Sequence, residues 1–443
     1  MAKNADPFNG RGQFLWKRAK KIIPGGNQLL SKRAERFAPG IWPTYYSKAK
    51  GSHIWDLDGR RYLDMSIMGV GCNILGYGDP DVDRAANRAI EKGSMSTLNT
   101  PDEVELAELL CKLHPWAQMV RFARTGGESM AIAARIARAY TGRDVIAFCG
   151  YHGWADWYLA TNLYKKNALA EHLLSGLKPK GVPKKLRGTI FPFRYNRIEE
   201  LEAIIKKHPK LAAIIMEPVH GEEPSENFLK KVQKLAKKSG AVFIFDEITI
   251  GWRLAVGGAH LKYGVQPDMA VFAKGMSNGY AMAAIIGKRD VMQAAQDTFI
   301  SSTYWSDAIG PAATLASIKK MQRVNLPKYL SHIGALVQKA WRQNAKKHGL
   351  KVEISGFLPL LFFKFMEKDR EAIKTLFVQE MLRRGVLASD LFYASYAHKN
   401  AHVREYAKAM DESFAIIAKA IREGKVRTLL EGAVASPNFQ RLN

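Results

Sequence analysis

Two short apolar runs, each ending in a charged residue, limit what this chain can fold into. Ala241-Val-Phe-Ile-Phe-Asp246-Glu247 is β-branched and aromatic up to a pair of carboxylates. Pro267-Asp-Met-Ala-Val-Phe-Ala-Lys274-Gly-Met-Ser-Asn-Gly279 is apolar up to a lysine that opens a glycine-bearing loop. Runs of this kind read as parallel strands buried on both faces. They deliver an acid and a lysine to the C-terminal edge of one sheet, where ligands of α/β proteins bind. That pairing suits pyridoxal 5′-phosphate (PLP): a lysine forms a Schiff base with its aldehyde, and a carboxylate keeps its ring nitrogen protonated so that the ring accepts electrons. Lys274 and Asp246 are therefore the candidate catalytic residues. The plainer reading of Lys274 is a surface lysine at a strand end.

The surrounding pattern agrees with a layered α/β architecture. Met119-Val-Arg-Phe-Ala, Val145-Ile-Ala-Phe, Ala212-Ala-Ile-Ile-Met-Glu217, Val242-Phe-Ile-Phe and Met269-Ala-Val-Phe are short strands separated by helical stretches such as Ser129 to Tyr140. Alternation of that kind predicts a mostly parallel sheet. Pro101 opens a helix with Glu103, Glu105 and Glu108 near its start, where the helix dipole favours them. Toward the N-terminus a helical segment (Phe14 to Ile23) precedes Pro24-Gly-Gly, and residues 44–70 read as an antiparallel meander with a turn at Asp58-Gly59. Beyond about residue 325 the order is helix, Lys351-Val-Glu-Ile-Ser, Leu360-Leu-Phe-Phe-Lys-Phe, helix, and a final helix from Val403 to Gly424. The expected division is a large cofactor-binding domain over 76–325 and a smaller α+β domain over 326–443, to which residues 1–75 contribute.

Length and composition narrow the class. At 443 residues the chain exceeds one ordinary core, and 47% hydrophobic with 24% charged residues is a globular balance. No run of 18 or more apolar residues exists, so no membrane span is expected, and the N-terminus lacks an apolar signal core. Cys72, Cys111 and Cys149 are odd in number and without metal-ligand spacing, which suits reduced thiols in a cytoplasmic protein. The net charge of +26 is the anomaly. It would suit nucleic-acid binding, but it is scattered over many segments and no nucleic-acid motif accompanies it. Lys230, Lys231, Lys234, Lys237 and Lys238 have the spacing of one solvated helix face. Anionic substrates or a general compositional bias account for the charge better.

Two further motifs follow strands. Arg124-Thr125-Gly126-Gly127-Glu128-Ser129 joins a strand to a helix, where two glycines let the backbone approach a ligand and the helix N-terminus attracts a phosphate. Such turns are also met as purely structural connections. Cys149-Gly150-Tyr151-His152-Gly153-Trp154 places an aromatic between glycines, able to lie flat on a planar cofactor or simply to pack a loop.

Taken together, the phosphate turn, Tyr-His-Gly, Phe-Asp-Glu, Lys-Gly-x-x-x-Gly and Thr303 resemble the ordered motifs of class-III PLP-dependent aminotransferases, in particular the glutamate-1-semialdehyde aminomutase branch. The resemblance runs from Pro24-Gly-Gly and Trp55-Asp-Leu-Asp-Gly to the C-terminal domain. It implies PLP fold type I, with a mostly parallel seven-stranded sheet in the large domain, and a homodimer with shared active sites. It implies Lys274 as the Schiff-base lysine and proton shuttle, Asp246 at the ring nitrogen, and Tyr151 stacked on the ring with His152 beside it. By the same resemblance, Gly126 and Gly127 hold the phosphate, helped by Thr125, and Thr303 reaches it from the neighbouring subunit.

The departures bear on the substrate. The family's Ser-Gly-Thr-Glu turn is Thr125-Gly126-Gly127-Glu128 here, so one phosphate-binding hydroxyl is missing, and Thr-x-x-Gly-Asn-Pro is Thr303-Tyr-Trp-Ser-Asp-Ala. Arg33 lies about where aminomutases carry a carboxylate-binding arginine, one residue out of step, and Asp390 about where they place an acid near the substrate. Residues 161–190 hold Lys165, Lys166, Lys178, Lys180, Lys184, Lys185 and Arg187 against Glu171, either a lid that favours an anionic ligand or a solvated basic loop. The reaction expected is amino transfer between an amine or amino-acid donor and a carbonyl acceptor. An intramolecular aminomutase is the alternative, and a non-enzymatic basic binding protein the last.

Overall fold

The structure, a computed structural model, describes residues 8–170 and 176–436. The described residues up to Asp79 and from Lys328 onward form one unit, and Pro80–Pro327 form the other.

The second unit is built on a seven-stranded sheet. Its strands are β4 (Met119–Ala123), β5 (Val145–Cys149), β6 (Ile190–Pro192), β7 (Leu211–Met216), β8 (Val242–Asp246), β9 (Met269–Phe272) and β10 (Ala283–Gly287), in the order β4-β10-β9-β8-β7-β5-β6. Neighbours from β6 through β9 run parallel, and β10 is antiparallel to both β4 and β9. Every residue of β7, β8 and β9 is buried. That is why these strands lack polar alternation in the sequence. Helices cover the sheet. The Ala-rich helix Gly126–Thr141 buries Met130, Ile132, Ala133, Ala134, Ile136 and Ala137 and stops at Gly142, whose φ of 65° is left-handed. The helix Phe228–Ser239 buries Phe228, Leu229, Val232 and Ala236 and exposes its five lysines. The basic spacing in that segment is a solvated helix face.

In the first unit, β1 (Tyr46–Lys50), β2 (His53–Asp56) and β3 (Arg61–Asp64) form the antiparallel meander. Gly59, at φ 80°, completes the turn between β2 and β3. The C-terminal strand β13 (Val386–Leu387) adds to β3 in parallel, so the two ends of the chain share a sheet. A second sheet contains β11 (Val352–Phe357), β12 (Leu360–Phe365) and β14 (Leu391–Tyr393), all antiparallel. Trp341, Phe363, Phe365, Phe377 and Phe414 pack edge to face in its core, with centroids 4.8 to 6.4 Å apart. The helices Arg370–Arg383 and Asn400–Arg422 supply Phe377 and Phe414. Among the described residues no helix is long and apolar enough to cross a membrane.

Candidate active site at the C-terminal edge of the sheet

Parallel registration decides which side chains meet. Asp246, the last residue of β8, lies opposite Val271 of β9, and the Glu247 N–H donates to the Val271 carbonyl at 2.9 Å. Asp246 therefore leaves β8 level with the end of β9, three positions before Lys274. β5 and β7 end at the same edge in Cys149 and Met216, so Tyr151, His152 and Glu217 belong to the same rim.

The centre of the rim is a buried acid–imidazole pair. His152 Nδ1 lies 2.8 Å from Asp246 Oδ2, with the two side chains 0% and 3% exposed. The other carboxylate oxygen, Oδ1, accepts the Ile248 N–H at 3.0 Å. The opposite ring nitrogen, Nε2, is 3.2 Å from the Cys149 carbonyl oxygen. Both imidazole nitrogens thus face acceptor oxygens. Burial pushes the Asp246 carboxyl above its ordinary value, against the opposing pull of His152. An anion so placed gains from a cationic hydrogen-bond donor.

Glu247, next in sequence, is turned elsewhere. It is fully buried, accepts the N–H groups of Ala259 at 2.9 Å and His260 at 2.8 Å, and lies 2.7 Å from His260 Nδ1. His260 Nε2 in turn accepts the Trp116 indole N–H at 3.2 Å. This carboxylate caps the short helix Ala259–Tyr263 and holds a core histidine.

Lys274 opens the short 3-10 turn Lys274–Ser277 with φ 46°, a left-handed conformation rare outside glycine. Its Nζ donates to Thr249 Oγ1 at 2.9 Å. Thr249 comes three residues after Asp246, so the acid and the amine are tied through one loop.

Three loops converge on the start of the helix Gly126–Thr141. Glu128 accepts the N–H groups of Arg124 at 3.0 Å and Thr125 at 3.2 Å, bracing the turn from below. The first-turn amides of Gly126 and Gly127 have no intrahelical acceptor. A Cβ on Gly126 would come within 2.9 Å of Ile248 Cδ1, and one on Gly127 within 3.1 Å of Trp154 Cδ1. Gly153, at φ 98°, places its missing Cβ 2.7 Å from the Gly127 Cα. The glycines are thus required by close approach of the turns after β4, β5 and β8.

The Tyr151 turn is stitched from beneath by Glu217. Its Oε2 accepts the Tyr151 N–H at 3.2 Å and lies 2.6 Å from His220 Nδ1, and Gly150 (φ 111°) has no room for a Cβ because that oxygen would be 2.4 Å away. Burial alone would raise the Glu217 carboxyl. The hydrogen bond and charge of His220, the charge of His152 and the Tyr151 N–H outweigh it and hold the carboxyl below its ordinary value. The same hydrogen bond lifts His220 above the usual imidazole range. The Tyr151 ring is partly buried, edge-on to Tyr158 at 6.1 Å.

These residues fit PLP. A buried carboxylate at the sheet edge awaits a cationic ring nitrogen, an amine stands beside it, and a glycine cradle at a helix N-terminus suits a phosphate. The remaining candidates belong to other segments. Thr303, in the turn Thr303–Ser306, is exposed, as are Tyr304 (73%) and Phe299 (83%). Arg33, in the other unit, sits between two 3-10 turns, and its Nη2 occupies the space a Cβ on Gly25 would take. Asp390, also in that unit, has its carboxylate 3.6 Å from Lys374 Nζ. In the basic segment Glu171 lies outside the described residues. The six lysines and Arg187 are exposed, Leu169 and Val182 are buried, and Ile190 belongs to β6.

Sequence reasoning singled out neither Glu217, His220 nor Thr249. Glu217 was within reach, since Ala212-Ala-Ile-Ile-Met-Glu217 repeats the strand-then-acid pattern of Asp246. His220 and Thr249 are loop residues whose roles come only from the fold.

Comparison with known proteins agrees with this geometry. The model of the family "Aminotransferase class-III" matches residues 38–404. The 3-aminobutyryl-CoA aminotransferase of Cloacimonas acidaminovorans is 31% identical over 93% of this chain and 98% of its own. The glutamate-1-semialdehyde 2,1-aminomutase of Polynucleobacter asymbioticus is 32% identical over 91% and 98%. FumI of Sphingopyxis sp. MTA144, solved in its PLP internal aldimine form, superposes with a TM-score of 0.84 at 24% identity, covering 93% of this chain and 97% of its own. The architecture is PLP fold type I. With a match over most of its length and full-length relatives above 30% identity, this chain belongs to the class-III aminotransferase family.

Proposed function

We propose that the rim built from Asp246, His152, Tyr151, Lys274 and the Gly126–Gly127 turn moves an amino group from an amine or amino-acid donor to a carbonyl acceptor. The observation that supports this reading is the parallel registration of β8 and β9, in which buried Asp246 pairs with Val271, three residues before Lys274. When bound, PLP supplies the carbonyl carbon that takes up nitrogen and a ring that accepts electrons.

The chain's own residues do the rest. Asp246 holds a proton on the ring nitrogen, and His152 keeps that carboxylate oriented. Gly126, Gly127 and Thr125 bind the phosphate through the helix N-terminus. Tyr151 covers the ring face, and the Glu217–His220 pair fixes its backbone. Lys274 removes a proton from one carbon and returns it to another, and Thr249 holds its amine ready between those transfers. Arg33 takes a substrate carboxylate, with Asp390 as an acid near the substrate. Thr303 completes the phosphate site of a second copy in a homodimer. Exposed Phe299, Tyr304 and Leu98 on the same unit support such a seam.

An anionic substrate suits the exposed lysines of residues 165–187, and one relative is named for a CoA-bound amine. The aminomutase reading is favoured by the aminomutase relatives at 32% identity. Product analysis separates the two: release of a keto product from the donor without acceptor marks a transaminase, and isomerisation of a single amino-aldehyde marks a mutase.

Two substitutions test the chemical roles directly. Lys274→Ala abolishes turnover, and Asp246→Asn lowers it by several orders of magnitude with the protein folded. Full activity in the first, without added amine, or less than about a tenfold loss in the second (~1.4 kcal/mol of barrier) overturns these roles.

The Glu217–His220 pair predicts a pH window for stability. Glu217, depressed below its ordinary value near 4.5, contributes above that value and loses its contribution as pH falls through the depressed one. His220, raised above its ordinary value near 6.5, contributes fully below it and loses its contribution as pH rises through the raised one. His220→Gln therefore costs about 2 kcal/mol between those ordinary values and less on either side. Thermal unfolding of both proteins from below the depressed Glu217 value to above the raised His220 value reads the difference, and a penalty independent of pH over that wider range contradicts it.

Neutralising Lys178, Lys180, Lys184 and Lys185 together raises KM and flattens its salt dependence, with kcat and cofactor content little changed. An unchanged KM at every ionic strength leaves only a solvated basic loop.

A further inference from the structure

Residues 299–307 lead from the end of one helical turn to the helix Ile309–Arg323; Ile300 is buried in the core of this unit and Trp305 packs against it, while most of their neighbours are exposed. Phe299 and Tyr304 are 83% and 73% exposed, and the only regular structure is the short turn Thr303–Ser306. Three guanidinium groups hold the backbone of the segment. Arg135, on the helix Gly126–Thr141, donates from Nη1 to the Phe299 carbonyl at 3.0 Å. Arg121, on β4, donates from Nη2 to the Ile300 carbonyl.

Arg124 makes the densest set of contacts. Its Nη2 donates to the carbonyls of Trp305 at 2.8 Å and Asp307 at 3.1 Å, and its Nε pairs with the Asp307 carboxylate. Its Nη1 donates to the Ala123 carbonyl at 3.1 Å and approaches Met282 Sδ at 3.0 Å. The side chain is only 9% exposed. Asp307 Oδ1 meanwhile accepts the N–H groups of Ile309 at 2.9 Å and Gly310 at 3.1 Å, capping the helix that follows. One planar fork thus joins the end of β4, the Thr303 turn and a helix cap. A lysine ammonium, a point donor on a flexible stem, has no such geometry. Arg124 also precedes Thr125 directly, so the same short connection leads on to Gly126 and Gly127.

We propose that Arg124 is a positioning residue that acts across the subunit seam: it sets the Thr303 turn from the segment that forms its own chain's phosphate cradle, so each chain's cradle shapes the site of its partner. This rests on the proposed role of Thr303 in reaching the phosphate of a second copy.

Mixed dimers test it. Differently tagged chains are co-expressed so that one is unaltered and the other carries Lys274→Ala, alone or with Arg124→Ala or with Thr303→Ala. The remaining Lys274 then lies in an unaltered chain, and a change in the other chain reaches that site only through the turn it lends. PLP fixed by borohydride after equilibration at graded cofactor concentrations counts that site alone and needs no turnover. Arg124→Ala in the lending chain is expected to weaken cofactor affinity about tenfold, the scale of one lost hydrogen bond to a charged group. Thr303→Ala should do the same, and the two together should do no more. Asp307→Asn, which keeps the helix cap and loses the charge, provides a milder variant should Arg124→Ala misfold, with the same direction expected. An effect in the partner's site is not something a local packing role would produce. If Thr303→Ala weakens binding and neither Arg124→Ala nor Asp307→Asn does, the inference falls and the dimer reading stands. If Thr303→Ala is silent, or sedimentation finds a monomer, both fall.

Discussion

The buried carboxylate of Asp246 is the interaction to which the rest of this site answers. An acid at 3% exposure, raised by its burial, is an unfavourable feature in isolation. The sheet cannot solvate it, and His152 and the Ile248 N–H compensate only in part. What completes the arrangement is a cation that can be brought to it and taken away, and a protonated ring nitrogen has that property. The neighbouring elements then have intelligible tasks. On the proposed function, Lys274 after β9 supplies an amine, the helix Gly126–Thr141 offers its N-terminus to the phosphate, and Tyr151 in the β5 turn supplies an aromatic cover. Each task depends on strands ending at one level, which a parallel sheet provides without special local structure.

Much of this was legible in the sequence because burial on both faces erases polar alternation. β7, β8 and β9 stand out as apolar runs, and the charged residue that ends each one announces the functional edge. The meander and the long terminal helices were legible for similar reasons: Asp58-Gly59 is a turn signal, and the C-terminal helix carries its apolar residues at helical spacing. What stayed hidden was of two kinds. β6, β13 and β14 are only two or three residues long, too short to show a period, and β13 joins β3 by a pairing that no local signal encodes. The second kind is side-chain pairing across loops. Glu217 to His220, Lys274 to Thr249 and Arg124 to Asp307 each depend on where two loops happen to meet. The first of these holds the backbone under Tyr151, yet the residues Glu-Pro-Val-His carry no pattern that would reveal it.

Two carboxylates side by side, Asp246 and Glu247, show how a strand end assigns roles. Successive residues on a strand point to opposite faces. Asp246 meets His152, whereas Glu247 meets the amides of Ala259 and His260 and the ring of that histidine. From composition the two are equivalent candidates. The fold distinguishes them by hydrogen-bond satisfaction: Glu247 has three donors and no remaining need, and Asp246 retains room for one. A buried acid with an incomplete set of donors is the better ligand-binding candidate of the two.

The position of the missing hydroxyl lies beside an indole ring. Gly127 stands where family members carry threonine, and a Cβ there would meet the Trp154 ring at 3.1 Å before any hydroxyl was added. Trp154 is 72% exposed and can move aside, and the Gly153 Cα would lie 3.6 Å from that Cβ, an ordinary contact; the 2.7 Å approach to the Gly127 Cα concerns a Cβ on Gly153. The approach of the Tyr151–Trp154 turn to the Gly126–Gly127 turn therefore requires glycine at 153. The exchange trades one hydroxyl donor for bare helix amides under an indole ring. Those amides carry the positive end of the helix dipole, which favours an anion. On the proposed reading the glycine is a change of donor type, from a hydroxyl to the amides of a helix N-terminus.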